Sequence, residues 1–191
     1  MNHAPTPAER ARVLVGDELV PEPMLSDTHA ASLSAPPSRV WPWLVQMGGG
    51  RGGWYSYDLL DNRGVPSARR IVPELQQLEM GDVVPAYPGA TSWFRVADLE
   101  RERRLVLSVP GAAGARATWA LYLEPEPRSA IAEGGDAGTR LLVRLRVAPL
   151  RLLGAPLPRF LVRPILSLGH GFMQRRQLNG LRARTNPEYA G

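Results

Sequence analysis

Five glycines occupy the six positions 48–53, with Arg51 between them, and this run constrains the fold more than any other stretch. Glycine has no Cβ, so the run disfavours regular helix and strand and permits positive φ angles and close backbone contacts. An apolar segment containing Trp41 and Trp43 precedes it, and an aromatic cluster follows it. The pattern predicts a hinge between two short helices, the second over residues 56–62.

The helix before the hinge has a clear start and a clear buried face. Pro37 suits a first helical position, because its missing N–H would have no partner there. Val40, Trp43, Leu44 and Met47 then recur at helical spacing. Pro42 lies within this segment and predicts a kink.

Strands dominate the middle of the chain. A weak period-two pattern over residues 25–35 predicts an edge strand. Residues 71–78 are typical of a loop or short helical piece. Further strands are predicted over residues 80–85, 92–98, 104–109, 118–124 and 139–147, with a hairpin tip at 133–138. In the last strand leucine and valine alternate with arginine, so we expect one face toward a core and the other toward water.

A long helix is predicted at the C-terminal end, over residues 157–184, after the start signals Pro156 and Pro158. Its most apolar arc is expected to pack on the sheet and consists of Leu161, Ile165, Leu168 and Phe172. Pro164, Gly169 and Gly171 predict a kink or a close approach within it. The elements together predict an α+β fold.

Length and composition favour one soluble domain. The 191 residues suffice for a single core, which we place at residues 25–185, between an extended arm at 1–24 and a tail at 186–191. Arg159, Arg163 and His170 interrupt the most apolar part, so no membrane span is expected, and the N-terminus lacks an apolar signal core. We therefore expect a cytoplasmic protein. The absence of cysteine excludes disulfides and thiolate chemistry.

The net charge of +5 is carried by arginine alone, since the chain contains no lysine. The arginines are spread along the sequence and often adjoin acidic residues, as in residues 98–104. Proteins that bind nucleic acid instead cluster their basic residues on one face. We expect no nucleic-acid partner.

The sequence resembles the START-like SRPBCC superfamily, which includes polyketide cyclases and lipid-transfer domains, and is most similar to an uncharacterised bacterial group within it. The resemblance covers about residues 25–185 and rests on APP at 35–37, VWPWLVQMG at 40–48, RGGWYSYDLLDN at 51–62 and GDVVP at 81–85. It implies a helix-grip fold, in which a curved antiparallel sheet wraps a long C-terminal helix. It also implies a cavity between sheet and helix for an apolar small molecule, without a catalytic signature.

Aromatic side chains are the first candidates for lining such a cavity, because they offer large apolar contact with a polar handle. Most of the chain's aromatic residues are expected in the core, with one or two facing a ligand. The candidates for ligand contact are Trp54, Tyr55, Tyr57, Trp93 and Phe172.

Two arginines are candidates for a charged ligand contact. Arg51 has glycine on both sides, which leaves room for a bidentate contact to a carboxylate or phosphate; the alternative is an ion pair with Asp58 or Asp61. Arg175 is close to the middle of the apolar arc, where it either extends to solvent, pairs or meets a ligand.

Catalytic and metal signatures are scarce. Residues 48–53 satisfy G-x-G-x-x-G, but a helix precedes them where the dinucleotide fingerprint needs a strand. No metal-binding motif or nucleophile elbow occurs, so neither metal nor cofactor is expected. Tyr57 and Asp58 are weak candidates for acid–base chemistry, and His170 is expected to face solvent.

Three function classes follow. We favour binding of an apolar or aromatic small molecule; a cyclase-like or dehydratase-like enzyme is the alternative. A weaker alternative is association with a lipid surface through the arginine-rich C-terminal helix, using Leu178 and Leu181. The polarity of the cavity discriminates between binder and enzyme, because an apolar cavity favours the first and several converging polar groups favour the second.

Overall fold

A six-stranded antiparallel sheet organises the chain, in the order β1-β6-β5-β4-β3-β2. The computed structural model describes residues 4–89, 91–112, 114–126, 138–152 and 155–186. The six strands are β1 (Leu25–Leu33), β2 (Val83–Pro85), β3 (Trp93–Glu100), β4 (Arg104–Gly111), β5 (Gly114–Glu126) and β6 (Gly138–Val147). A separate two-stranded sheet joins β7 (Arg151–Leu152) and β8 (Ala155–Pro156).

Strands β2 to β6 form the predicted antiparallel meander, and β1 closes the sheet by pairing with β6. The weak alternation over residues 25–35 is therefore confirmed as an edge strand. Register shifts between Val96 and Asp98, and between Val109 and Pro110, interrupt the pairing of β4 with its neighbours. Such irregularities increase local twist and curve a sheet. The predicted hairpin tip at 133–138 lies outside the described residues except for Gly138.

The described residues also form four α-helices: α1 (Pro7–Ala11), α2 (Pro37–Val45), α3 (Asp58–Asp61) and α4 (Arg159–Thr185). Short 3-10 turns occur at Asp17–Leu19 and Pro73–Leu75. Helix α2 begins at Pro37 and contains Pro42, as the sequence predicts. Helices α2 and α4 pack on one face of the curved sheet, so the chain has the α+β helix-grip fold.

The glycine run forms the tight turn that links α2 to the aromatic cluster. Gly48 and Gly53 exchange backbone hydrogen bonds of 3.2 and 3.0 Å, and both have positive φ. At Gly49 an added Cβ would lie 2.2 Å from the backbone of Tyr87. The run is therefore needed both for chain reversal and for the close approach of the segment after β2.

The sequence pattern assigned the wrong side of α4 to the sheet. Its residues Leu161, Ile165, Leu168 and Phe172 are all exposed. The buried residues of α4 are instead Gln174, Gln177, Leu178, Leu181 and Thr185. Because Leu178 and Leu181 are buried, lipid association through these two side chains is also contradicted.

The second face of the sheet is covered by residues 4–24, which corrects the expectation that it faces water. Arg140 and Arg144 of β6 lie beneath this segment, where Arg140 pairs with Glu9 and Arg144 with Asp17. Leu14 joins the residues of this face in a second apolar cluster. Acidic residues of the N-terminal segment thus neutralise the two buried arginines of this strand.

Candidate functional site

A cavity of about 250 Å³ lies between strands β3, β5 and β6 and the C-terminal half of α4. The segment after the hinge, helix α3 and the loop after β2 close its sides. Its lining residues are Trp54, Ser56, Asp61, Ala86, Phe94, Trp119, Leu145, His170, Met173, Gln174 and Gln177. The cavity therefore occupies the position between sheet and helix that the family resemblance implies.

Three aromatic rings form one side of the cavity. Trp54 lies 5.1 Å from Trp119 and 5.6 Å from Phe94, and Phe94 lies 5.9 Å from Trp119, measured between ring centroids. The indole N–H of Trp54 donates to the carbonyl of Ala86 at 2.8 Å. Trp54 is thereby fixed in orientation and presents its ring as a rigid apolar surface.

Tyr55 anchors the segment that carries Trp54. Its φ of 60° is unusual for a residue with a side chain. Its hydroxyl donates to the carbonyl of Trp43 at 2.9 Å, and its N–H donates to Ser67 Oγ at 3.1 Å. Tyr55 is fully buried, so it supports the cavity wall from behind and does not line it.

A pair of buried amides on α4 presents an acceptor at the cavity. Gln177 Nε2 donates to the carbonyl of Trp54 at 3.0 Å, which fixes the orientation of the Gln177 amide. Its Oε1 then accepts from Gln174 Nε2 at 2.8 Å. This leaves Gln174 Oε1 as a buried acceptor without a partner.

Three further lining residues carry buried polar atoms without a hydrogen-bond partner. They are the indole Nε1 of Trp119, Nε2 of His170 and Oδ1 of Asp61. Leaving such an atom unpaired costs about 1–3 kcal/mol, so native proteins rarely do so without a functional reason. The lining of this cavity thus combines aromatic surface with four unpaired polar atoms.

His170 is half-buried and lines the cavity, with its Nε2 atom withdrawn from solvent, which contradicts the expectation that it faces solvent. Burial lowers its pKa to about 4, and the nearby His29 contributes to the decrease. Its ring meets that of His29 edge to face, with centroids 5.3 Å apart. His170 is therefore a neutral imidazole at pH 7.

Asp27, on strand β1, lies next to His29. Its Oδ2 accepts from Ser167 Oγ at 3.2 Å and lies 3.3 Å from His29 Nε2. This close contact is not a well-aligned hydrogen bond, since His29 Nε2 has no partner in hydrogen-bonding geometry. Burial alone would raise the pKa of Asp27, but His29, His170 and Ser167 together lower it.

Asp61 has the opposite shift to His170. Burial raises its pKa to about 6, and the charge of Asp58 adds to the increase. Its position at the end of α3 brings it to the cavity lining. The cavity therefore holds a carboxyl group with a raised pKa and an imidazole with a lowered one.

Of the residues predicted to contact a ligand, only Trp54 lines this cavity. Trp93 is largely exposed on β3. Tyr57 and Phe172 stack on each other outside the lining, with parallel rings 4.5 Å apart. Asp58 accepts hydrogen bonds from the backbone and hydroxyl of Ser67.

The two arginine candidates also lie outside the cavity lining. Arg51 pairs with neither Asp58 nor Asp61: its Nε donates to the carbonyl of Met47 at 3.1 Å and its Nη2 to that of Val45 at 3.0 Å. These bonds satisfy carbonyl groups at the C-terminal end of α2. Arg175 is exposed because the apolar arc in which it lies is itself exposed.

Sequence reasoning missed most of the lining. Trp119 and Phe94 alternate with outward residues on predicted strands, so their inward direction was available from the period-two pattern. The inward direction of the polar residues His170 and Gln174 could not be predicted in this way, because on a helical wheel they lie opposite the most apolar arc. Among the described residues there is no cluster of three or more histidine, aspartate or glutamate side chains that could hold a metal ion.

No protein-family model matches the chain, and no curated protein matches it. Among solved structures, CalU16 from Micromonospora echinospora is 18% identical, with 86% of this chain and 78% of that one covered and a TM-score of 0.44. Protein MLL2253 from Mesorhizobium loti is 16% identical, with 84% and 96% covered and a TM-score of 0.47. Protein NE0264 from Nitrosomonas europaea is 13% identical, with 86% and 96% covered and a TM-score of 0.47. At such identities and TM-scores these likenesses carry no argument about function.

Proposed function

We propose that this protein binds a compact, largely aromatic small molecule that carries polar groups, and that it is an SRPBCC-like binding protein. The observation that carries the proposal is the cavity lining, in which a rigid aromatic surface adjoins four unpaired polar atoms. Binding sites commonly combine these two features, because apolar contact supplies affinity and a few polar groups fix orientation. The motif resemblance at residues 35–62 and the helix-grip fold support the same proposal.

The polar atoms favour a ligand that both donates and accepts hydrogen bonds. Gln174 Oε1 accepts only, so it suits a hydroxyl or N–H of the ligand, whereas Trp119 Nε1 donates only and suits a carbonyl or ether oxygen. The cavity of about 250 Å³ is slightly smaller than the about 300–1,000 Å³ typical of ligand pockets. A compact polycyclic phenol or ketone therefore fits the cavity better than a long-chain fatty acid.

Tryptophan fluorescence tests the proposal, because Trp54 and Trp119 line the cavity. We expect saturable quenching by a polycyclic phenol such as 2-naphthol. Naphthalene, which has the same rings without the hydroxyl, should bind about tenfold more weakly, since it leaves Gln174 unpaired.

Ala86→Leu should weaken binding by filling the cavity, whereas the matched change Ala8→Leu on exposed α1 should not. Unsaturable quenching, or equal binding by the Ala86 and Ala8 variants, would contradict the proposal.

An acid–base enzyme is the second candidate, favoured by the opposite pKa shifts of His170 and Asp61 in one cavity. Between about pH 4 and 6 the imidazole is neutral and accepts a proton, while the carboxyl group is protonated and donates one. These two residues replace Tyr57 and Asp58 as the acid–base candidates. The distinguishing measurement is deuterium exchange at the α-carbon of a bound ketone, 2-tetralone, compared between the wild type and His170→Phe.

A further inference from the structure

An unusual apolar surface runs along the outer side of α4. Its four residues, which we call the outer stripe, are Leu161, Ile165, Leu168 and Phe172, with exposed fractions of 57%, 72%, 76% and 55%. They recur at i, i+4, i+7 and i+11 and so lie in one line along the helix. At about 1.5 Å per residue the stripe is about 16 Å long. Phe160, 77% exposed, adjoins its start.

The outer stripe is not part of the cavity or the core. At about 100° per residue it lies on the opposite side of α4 from Gln174, Gln177 and Leu181, which are buried. Tyr57, stacked on Phe172, extends the apolar surface toward α3. Contiguous exposed surfaces of this kind mark sites of interaction with a protein or a membrane.

The charged side chains of helix α4 itself are all positive. Helix α4 contains six arginines and no acidic residue. Arg175 and Arg176 are exposed one turn after Phe172 and flank the line of the stripe on the helix surface. Arg159 and Arg163 are also exposed, but at about 100° per residue they lie on the opposite side of α4. None of these four arginines is in an ion pair within the part of the chain that the structure describes.

We propose that the outer stripe docks on a bilayer surface containing anionic phospholipids. Helix α4 lies parallel to the membrane, with the stripe inserted at the boundary of headgroups and acyl chains and with Arg175 and Arg176 against phosphate groups. The arrangement is superficial: among the described residues no helix has the length and apolar character to cross a bilayer.

A second copy of the chain suits this surface less well. In a parallel pairing of two stripes, Arg175 and Arg176 would meet their own counterparts. In an antiparallel pairing they would meet the N-terminal half of the other copy's α4, which has no acidic residue. Neither arrangement gives the two arginines an acidic partner on α4, so the pairing of two stripes lacks electrostatic complementarity. A surface rich in phosphate supplies the missing negative charge.

Vesicle flotation tests the proposal with the intact protein. We expect binding to vesicles of phosphatidylcholine and phosphatidylglycerol that is at least about tenfold tighter than to phosphatidylcholine alone and that weakens at high salt. Leu168→Asp should weaken this binding at least about tenfold, because it places a carboxylate in the stripe. Arg175→Gln combined with Arg176→Gln should weaken it several-fold.

The control is Val13→Asp, the same kind of change at an apolar residue that is 86% exposed and lies on the N-terminal segment. It should bind vesicles as the wild type does, and circular dichroism should show both variants folded. The proposal fails if the wild type does not bind anionic vesicles or if Leu168→Asp and Val13→Asp bind equally. A dimer in light scattering that Leu168→Asp converts to monomer, without vesicle binding, would assign the stripe to a second copy.

Discussion

His170 and Asp61 illustrate how one cavity shifts two ionisable residues in opposite directions. Both are partly or largely withdrawn from water, and burial disfavours the charged form of each. For an imidazole the charged form is protonated, so the pKa falls; for a carboxyl group it is deprotonated, so the pKa rises. The consequences for stability are therefore opposite in sign.

His170 should remain neutral down to about pH 4 in the folded protein, against an ordinary value of 6.5. The folded state then binds fewer protons than the unfolded state between these values, so this residue's contribution makes the free energy of unfolding fall as the pH decreases from 6.5 to 4. Titration of the imidazole nitrogens by NMR checks the pKa. Urea unfolding across the same range checks the slope, which His170→Gln should reduce. An imidazole that titrates near 6.5 would contradict the burial of this side chain.

Arg51 shows where sequence reasoning at single residues reaches its limit. The glycines around it correctly predicted a turn with room for a long side chain. They did not reveal its acceptors, because Arg51 turns back to carbonyl groups four and six residues earlier in the chain. Backbone acceptors exist at every position and leave no mark in the sequence, whereas Asp58 and Asp61 are visible in it. The prediction was therefore divided between an anionic ligand and these two carboxylates, and it did not consider backbone acceptors.

At the scale of elements, periodicity located α4 and the strands of the meander within a few residues but assigned the wrong face to the helix. The method takes the most apolar arc as the buried one, which holds when a helix covers an apolar core. Here the inner side of α4 covers a cavity with polar groups, so Ser167, His170, Gln174 and Gln177 lie on it. Polar residues on the inner side of a helix thus reverse the hydrophobic signal.

Two glycines within α4 provide a matched test of its packing. At Gly180 an added Cβ would lie 2.2 Å from the carbonyl oxygen of Tyr55, whereas at Gly169 it would meet nothing within 4 Å. We expect Gly180→Ala to lower the free energy of unfolding by about 1–3 kcal/mol, because helix and hinge must separate. Gly169→Ala should raise it by about 0.5–1 kcal/mol through helix propensity. Urea unfolding measures both, and equal effects would show that Gly180 does not set the helix-to-hinge distance.

At the scale of the whole molecule, the N-terminal segment covers the second face of the sheet, which would otherwise face water. From the sequence, residues 1–24 are predicted to lie outside the domain, because their prolines and single short amphipathic stretch indicate no core of their own. In the structure, Leu14, Val20 and Met24 are buried and Tyr122 donates a hydrogen bond to the carbonyl of Val15. The alternation of apolar residues and arginine in β6 correctly predicted two different faces of the strand. No local pattern could show that a segment more than a hundred residues earlier covers the arginine face. We propose that residues 4–24 belong to the folding unit of residues 25–185.

The ion pair of Asp17 with Arg144 tests that proposal. Their side chains are 13% and 3% exposed, and Asp17 Oδ2 lies 2.8 Å from Arg144 Nη1. Asp17→Asn removes the countercharge of a buried guanidinium, and breaking such a pair costs about 3–5 kcal/mol. Arg144 keeps backbone acceptors at Glu9, Arg10 and Arg12, so we expect a smaller loss of about 2–3 kcal/mol in one cooperative urea transition. Glu22→Gln, at an exposed acidic residue of the same segment, should change stability by less than about 0.5 kcal/mol. If Asp17→Asn instead released only the segment, seen as proteolysis before residue 24 with an unchanged urea midpoint, residues 4–24 would be an accessory to an independently stable sheet and helix.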